Sequence, residues 1–169
     1  MKKYFLIPAF SISLLFFFSC KSQKSTVTEN KKADKDSLAV SIQKFPCFGV
    51  CPYYVAKIYT SGYVWYEGKK NTDKTGVYES KVTEEQLKEI LEQAQTADYF
   101  ALPDSFYNAG IADFPVVITS VKQNGRRKTV YDGAPSATDE LHSFEKYLHN
   151  FFHSVDLKWR LIRKPGGDE

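Results

Sequence analysis

From Ser37 onward the apolar positions fall into two rhythms, and each predicts a different element. Leu38, Val40 and Ile42 alternate with polar residues, a period of two that turns one side of a strand toward a core. Residues 53–60 and 63–67 read as two more strands. Ser61-Gly62 between them is a two-residue turn signal, which would set Ile58 opposite Trp65 and Lys57 opposite Tyr66. Residues 68–74 form a polar loop, and 76–82 predict a fourth strand. Thr83-Glu84-Glu85-Gln86 is a capping box: the Thr83 hydroxyl accepts from the Gln86 amide while the Gln86 side chain reaches back. Leu87, Ile90, Leu91 and Ala94 then recur at helical spacing, so an amphipathic helix runs to about Ala97. Residues 99–112 are irregular, broken by Pro103 and Gly110. Residues 116–122 and 126–131 flank Asn124-Gly125, the strongest short signal for a hairpin. After Gly133-Ala134-Pro135, a second helix spans about 138–154, with Leu141, Phe144, Leu148, Phe151 and Val155 on one stripe.

The order is therefore β-β-β-β-α-β-β-α. Hairpin connections imply antiparallel pairing, so the expected fold is α+β: an antiparallel sheet of about six strands with two helices packed on one face. Residues 37–160 make one domain, and 161–169 a C-terminal tail. Hydrophobic residues are 43% and charged residues 25% of the 169, ordinary for a globular chain. That excludes a collagen, a coiled-coil rod and a mostly disordered chain. The aromatic share of 15% suits β-structure. A net charge of +3 gives no strongly basic surface to neutralise phosphates, so nucleic acid is not an expected partner.

The first 19 residues change the picture of where the chain resides. Met1-Lys2-Lys3 is basic, residues 4–18 carry no charge, and Ser19-Cys20 follows. These are the parts of a secretory signal, and the apolar run is shorter than the roughly 20 residues a spanning helix needs. A Cys at the cleavage point resembles the lipobox of bacterial lipoproteins, in which the sulfur receives a diacylglycerol. Phe17-Phe18-Ser19 stands where Leu-Ala-Gly is commonest. The alternative is a plain secretory signal with an incidental Cys. The expectation is a signal peptide over 1–19 and a lipid-anchored flexible tether over 20–36. The tether lacks aromatic residues, and sixteen residues after Cys20 reach roughly 20–25 Å. No acidic cluster follows Cys20 directly, which favours the periplasm-facing side of the outer membrane over the cell surface.

Candidate chemistry concentrates on Cys47 and Cys51. In an oxidising compartment a CxxxC loop containing Gly49 can close a disulfide. Closing five residues would stabilise by about 2 kcal/mol on the chain-entropy model. The alternatives are a redox-active pair, a Cu(I) site completed by a distant His, and free thiols. Pro52 leads into a strand, so no helix dipole activates the sulfurs. His142, His149 and His153 share the last helix. The last two are four residues apart, but no HExxH accompanies them and no metal is expected. Asp113 either caps a turn or lines a ligand groove with Tyr54, Tyr66 and Tyr107. Tyr53, Tyr59, Tyr63, Trp65 and Tyr99 are strand or core aromatics, or part of a sugar or peptide platform. No GxSxG, P-loop or dinucleotide fingerprint occurs.

An ordered set of motifs runs from about Ile42 to Trp159. It comprises Cys47-Phe48-Gly49-Val50-Cys51-Pro52 with Tyr54, then Gly62-x-Val64-x-Tyr66-x-Gly68. Tyr99-Phe100-x-Leu102 with Tyr107, Asp113-x-Pro115 and Gly133-Ala134-Pro135 complete it. The set resembles a bacterial domain of unknown function, DUF6438. Ala112 departs from the Thr expected there. The resemblance implies a secreted or lipid-anchored α+β domain and no assigned activity. The expected function is a non-enzymatic envelope lipoprotein without cofactor, which contacts the membrane through its lipid and binds or braces an envelope protein or glycan. A periplasmic thiol-disulfide or copper-handling protein using Cys47 and Cys51 is the alternative. A hydrolase built on Asp113 and a helix His is a third class.

Overall fold

The structure is a computed structural model that describes residues 36–107, 110 and 114–166. Eight strands form one sheet in the order β5-β7-β6-β1-β2-β3-β4-β8. Its centre is β1 (Leu38–Lys44), β2 (Tyr53–Tyr59), β3 (Tyr63–Lys70) and β4 (Gly76–Lys81). The hairpin β6 (Val117–Gln123) and β7 (Arg126–Gly133) extends it beyond β1. Asn124 and Gly125 both take positive φ at that hairpin turn, as an Asn-Gly two-residue loop requires.

Helix α1 (Glu84–Thr96) starts at the Thr83–Gln86 capping box read from the sequence. Helix α2 (Asp139–His153) starts at Thr138, whose hydroxyl accepts from the Leu141 amide. Both helices share one buried cluster with alternate residues of the central strands, among them Val40, Ile42, Ala56, Ile58, Val64 and Tyr66. Strand residues of the other parity, such as Tyr53, Lys57, Trp65 and Glu79, remain partly exposed on the opposite face. Inside the core the Tyr99 hydroxyl meets Thr119 Oγ1 at 2.8 Å, so each buried hydroxyl has a partner.

The expectation of about six antiparallel strands is corrected: the sheet has eight and is mixed. The additional strands are short. β5 (Ser105–Tyr107) pairs parallel with β7, and β8 (Arg160–Arg163) pairs antiparallel with β4. Neither has the alternation that marks a half-buried strand, and long-range partners hold both. Asp104 accepts from the Tyr131 amide and from Lys128 beside β5. Ser80 Oγ donates to the Lys158 carbonyl just before β8.

Three local readings also shift. The β2–β3 register is Lys57 opposite Trp65 and Ile58 opposite Val64, one residue from that expected. The turn closes from the Gly62 amide to the Tyr59 carbonyl, and Gly62 then adopts a φ of 81°, adding a residue to the loop. β3 continues through Lys70 into the stretch read as loop. On α2 the buried stripe is Leu141, Phe144, Leu148 and Phe152; Phe151 is only partly covered and Val155 lies beyond the helix, exposed.

Candidate functional site

Two features gather at the end of the sheet where β1 finishes and β2 begins. The first is a covalently closed knuckle. Cys47 and Cys51 are bonded at 1.94 Å with Cα atoms 5.6 Å apart. The Gly49 amide donates to Cys47 Sγ, and Asn71 Nδ2 donates to the Cys51 carbonyl from the neighbouring loop. Within this frame Phe48 is 90% and Val50 87% exposed. Phe45 stacks on Tyr53 at its base, and the Lys69 ammonium sits 5.0 Å from the Tyr53 ring centre.

The second feature is a stripe of titratable side chains on α2. His142, Glu145, His149 and His153 follow one another at three- and four-residue steps, beside the apolar stripe. They lie over strand residues Asp132, Lys44, Tyr54 and Tyr66, whose register pairs Asp132 with Val117, Val117 with Lys44, and Lys44 with Tyr54. His142 Nε2 lies 3.0 Å from Asp132 Oδ2, a close contact outside hydrogen-bond alignment. Burial pushes the Glu145 carboxyl up to about 8, and the charge of Asp132 and a hydrogen bond to it push the same way; Lys44 opposes them. Glu145 is therefore largely a neutral acid at pH 7, beside the Asp132 carboxylate. Burial likewise lowers Lys44, with Glu145 partly restoring it.

Further along, Tyr54 Oη lies 3.0 Å from His149 Nδ1. Burial raises the Tyr54 phenol, which keeps its proton, and the His149 tautomer decides which of the two atoms donates. His153 Nδ1 contacts the His149 carbonyl at 2.7 Å, which assigns its proton there and leaves Nε2 to accept from Tyr66 Oη at 3.5 Å. Burial lowers His149 to about 4, with the neighbouring His153 adding to the effect; His153 is lowered too, chiefly by burial. Both imidazoles are thus neutral at physiological pH and committed to internal hydrogen bonds. Among the described residues, no group of three or more His, Cys, Asp or Glu is placed to hold a metal.

The structure separates the residues expected to share a groove. Tyr54 and Tyr66 are fully buried, with ring centres 5.3 Å apart beneath the α2 histidines. Tyr107 is 69% exposed on β5, four strands from β2, or about 19 Å at the usual spacing. Asp113 and Cys20 lie outside the described residues. The aromatics of the suggested platform divide. Tyr53, Tyr59, Tyr63 and Trp65 are on the open face, where Lys57 covers the Trp65 ring at 4.9 Å, while Tyr99 is in the core. Sequence reasoning missed the Glu145–Asp132–Lys44 cluster, although the spacing of 142, 145, 149 and 153 was visible.

Residues 38–152 match the family model described as a domain of unknown function, DUF6438. The chain belongs to the DUF6438 family. No curated protein and no solved structure matches it. The matched span covers β1 to the last turn of α2, so the knuckle and the α2 stripe as far as His149 fall inside the DUF6438 domain, while His153 and β8 fall beyond it. Within it, Gly62, Val64, Tyr66 and Gly68 all face the core. Gly68 carries no Cβ because one would collide with the Lys74 carbonyl oxygen where the β3–β4 loop folds back.

Proposed function

We propose that this DUF6438 chain is a lipid-anchored protein of the bacterial envelope and a non-enzymatic binding module. In this reading residues 1–19 are a signal peptide, Cys20 carries the lipid, and 21–36 are the tether. The anchor sits in the outer membrane facing the periplasm. The partner is an envelope protein whose apolar pocket takes Phe48 and Val50; a glycan partner, with little apolar surface to offer, fits these two side chains less well.

One observation carries the proposal: two large apolar side chains are held out in solvent by a covalent bond and a backbone hydrogen bond. Exposed apolar groups scattered singly need no explanation, but a paired tip with restricted freedom resembles an interface anchor. Its rigidity lowers the ordering entropy lost on binding. Position supports the same reading. The chain enters the domain beside the β2–β3 turn, where Asp36 accepts from the Ser61 amide and the Thr60 amide donates to the Ser37 carbonyl. The knuckle lies at the other end of β1, seven residues away, about 23 Å along a strand. The knuckle thus lies at the end of β1 remote from the point where the tether joins the domain.

Two measurements test this. Fatty-acid labelling should mark the wild-type chain and not Cys20→Ala; equal labelling, or none, removes the anchor. Purified Cys20→Ala chain, which carries no lipid, should co-sediment with envelope fractions, and adding Phe48→Ser with Val50→Ser should abolish this without changing the circular dichroism. Binding that survives the double change, or that resists protease treatment of the envelope, rejects the knuckle as a protein-binding site.

A further inference from the structure

The outermost strand opposite β5 is β8, which pairs only with β4, and among the described residues no strand covers its outer edge. Its sequence is Arg160-Leu161-Ile162-Arg163, with Leu161 42% and Ile162 49% exposed. The β4–β8 register jumps between Val77 and Tyr78, so Ile162 is the extra residue of a bulge. The bulge turns Arg160 and Arg163 to one side of the sheet, where Arg160 pairs with Glu79 and Arg163 Nη2 lies 3.7 Å from Glu67 Oε1.

Two hollows flank this strand. One, of about 480 Å³, has Lys81, Lys158, Arg160 and Glu79 as its charged lining. The other, of about 380 Å³, has Lys69, Arg163, Lys164 and Glu67. Among the described residues, each is lined by three cations and one carboxylate. Charges and bulges on edge strands normally prevent indiscriminate pairing. A cationic edge repels basic strands and attracts acidic ones, so the same residues can act as a filter.

We propose that β8 is a docking edge for an extended acidic segment of a partner protein, which adds to the sheet as a ninth strand. Main-chain hydrogen bonds to the outer edge of β8 supply the pairing. Two acidic side chains four residues apart, about 13 Å in a strand, enter the two hollows. Valine or threonine between them covers Leu161 and Ile162. A second copy of this chain fits poorly: two-fold antiparallel pairing about Leu161 and Ile162 would set Arg160 against Arg163 of the other copy, and like charges opposite one another oppose pairing. The inference is independent of the lipid anchor and of the knuckle, which lie elsewhere.

The test uses the full chain in detergent and a fluorescein-labelled peptide, acetyl-Thr-Glu-Val-Thr-Val-Glu-Thr-amide, with its Lys-for-Glu counterpart. Fluorescence anisotropy should show the acidic peptide binding at least about tenfold more tightly than the basic one. Lys158→Glu with Lys164→Glu should reverse that order. If the reversed chain fails to fold, Lys158→Gln with Lys164→Gln should still narrow the preference several-fold. Methylating alternate peptide nitrogens should abolish binding. Equal affinity for the two peptides, an unchanged preference in the reversed chain, or full binding by the methylated peptide each overturns the proposal. So does a dimer that dissociates on Lys158→Glu and excludes the peptide, because the edge would then serve self-association.

Discussion

Replacing Glu145 by Gln should stabilise the fold at neutral pH. In the unfolded chain this carboxyl titrates near the ordinary 4.5, and in the folded chain at about 8, because burial and the adjacent Asp132 disfavour its charge. Between those values the folded state holds a proton that the unfolded state has released. Stability then falls as pH rises, by up to about 1.4 kcal/mol per pH unit. The contribution is complete below about pH 4.5 and lost as pH climbs toward 8, amounting to about 3 kcal/mol by pH 7. Gln cannot ionise in either state and matches Glu in size. The two proteins should therefore match near pH 4.5, and the variant should lead by about 3 kcal/mol at pH 7 and somewhat more at pH 8. Lys44, Asp132, Tyr54 and Tyr99 face Glu145 in both proteins, and the lowered His149 and His153 also contribute to both, so their effects largely cancel in the difference. The assay is guanidinium unfolding followed by tryptophan fluorescence from pH 4.5 to 8.5. Parallel curves, or a variant less stable at pH 8, would refute the reasoning.

Cys47→Ser with Cys51→Ser should cost about 2 kcal/mol, read as a lower melting temperature that reductant reproduces in the wild type. Gly62→Ala should cost roughly 1–3 kcal/mol in the same unfolding assay, because the residue sits at a φ of 81° with the Val82 carbonyl oxygen 2.6 Å from where a Cβ would stand. Tyr99→Phe should cost about 1–3 kcal/mol by leaving the buried Thr119 hydroxyl unpaired; adding Thr119→Val should recover part of that loss, and a larger loss in the double variant would contradict it.

Legibility along the chain followed the range of the forces involved. The capping box, the Asn-Gly turn and the alternation of β1 are set by neighbours in sequence, and each formed as read. β5 and β8 carry three and four residues and exist through partners more than 20 positions away, so no local rhythm announced them. Asp132 and Glu145 meet only because α2 crosses the ends of β7 and β1. The tyrosines are a different case. Tyr54 has the parity of Ala56 and Ile58, and Tyr66 that of Val64, so the alternation that put those residues inside already put both tyrosines inside. Their hydroxyls drew attention to ligand chemistry, but they satisfy two helix histidines. The disulfide was one of several readings that the CxxxC spacing left open, and the exposure of its tip was not legible at all.

The α2 stripe has the chemical make-up of a catalytic site, with a neutral acid, a carboxylate and imidazoles in line, yet access decides against that use. For a substrate to reach Glu145, α2 would have to lift from the sheet. That would expose Leu141, Phe144, Leu148 and Phe152, all buried. At roughly 1.5–3 kcal/mol per side chain the cost is about 6–12 kcal/mol, comparable to the whole stability of a typical domain. Opening would also strip Tyr54 and Tyr66 of their histidine partners. A site that needs the fold to come apart cannot turn over a substrate, so these groups fix how α2 sits on the sheet.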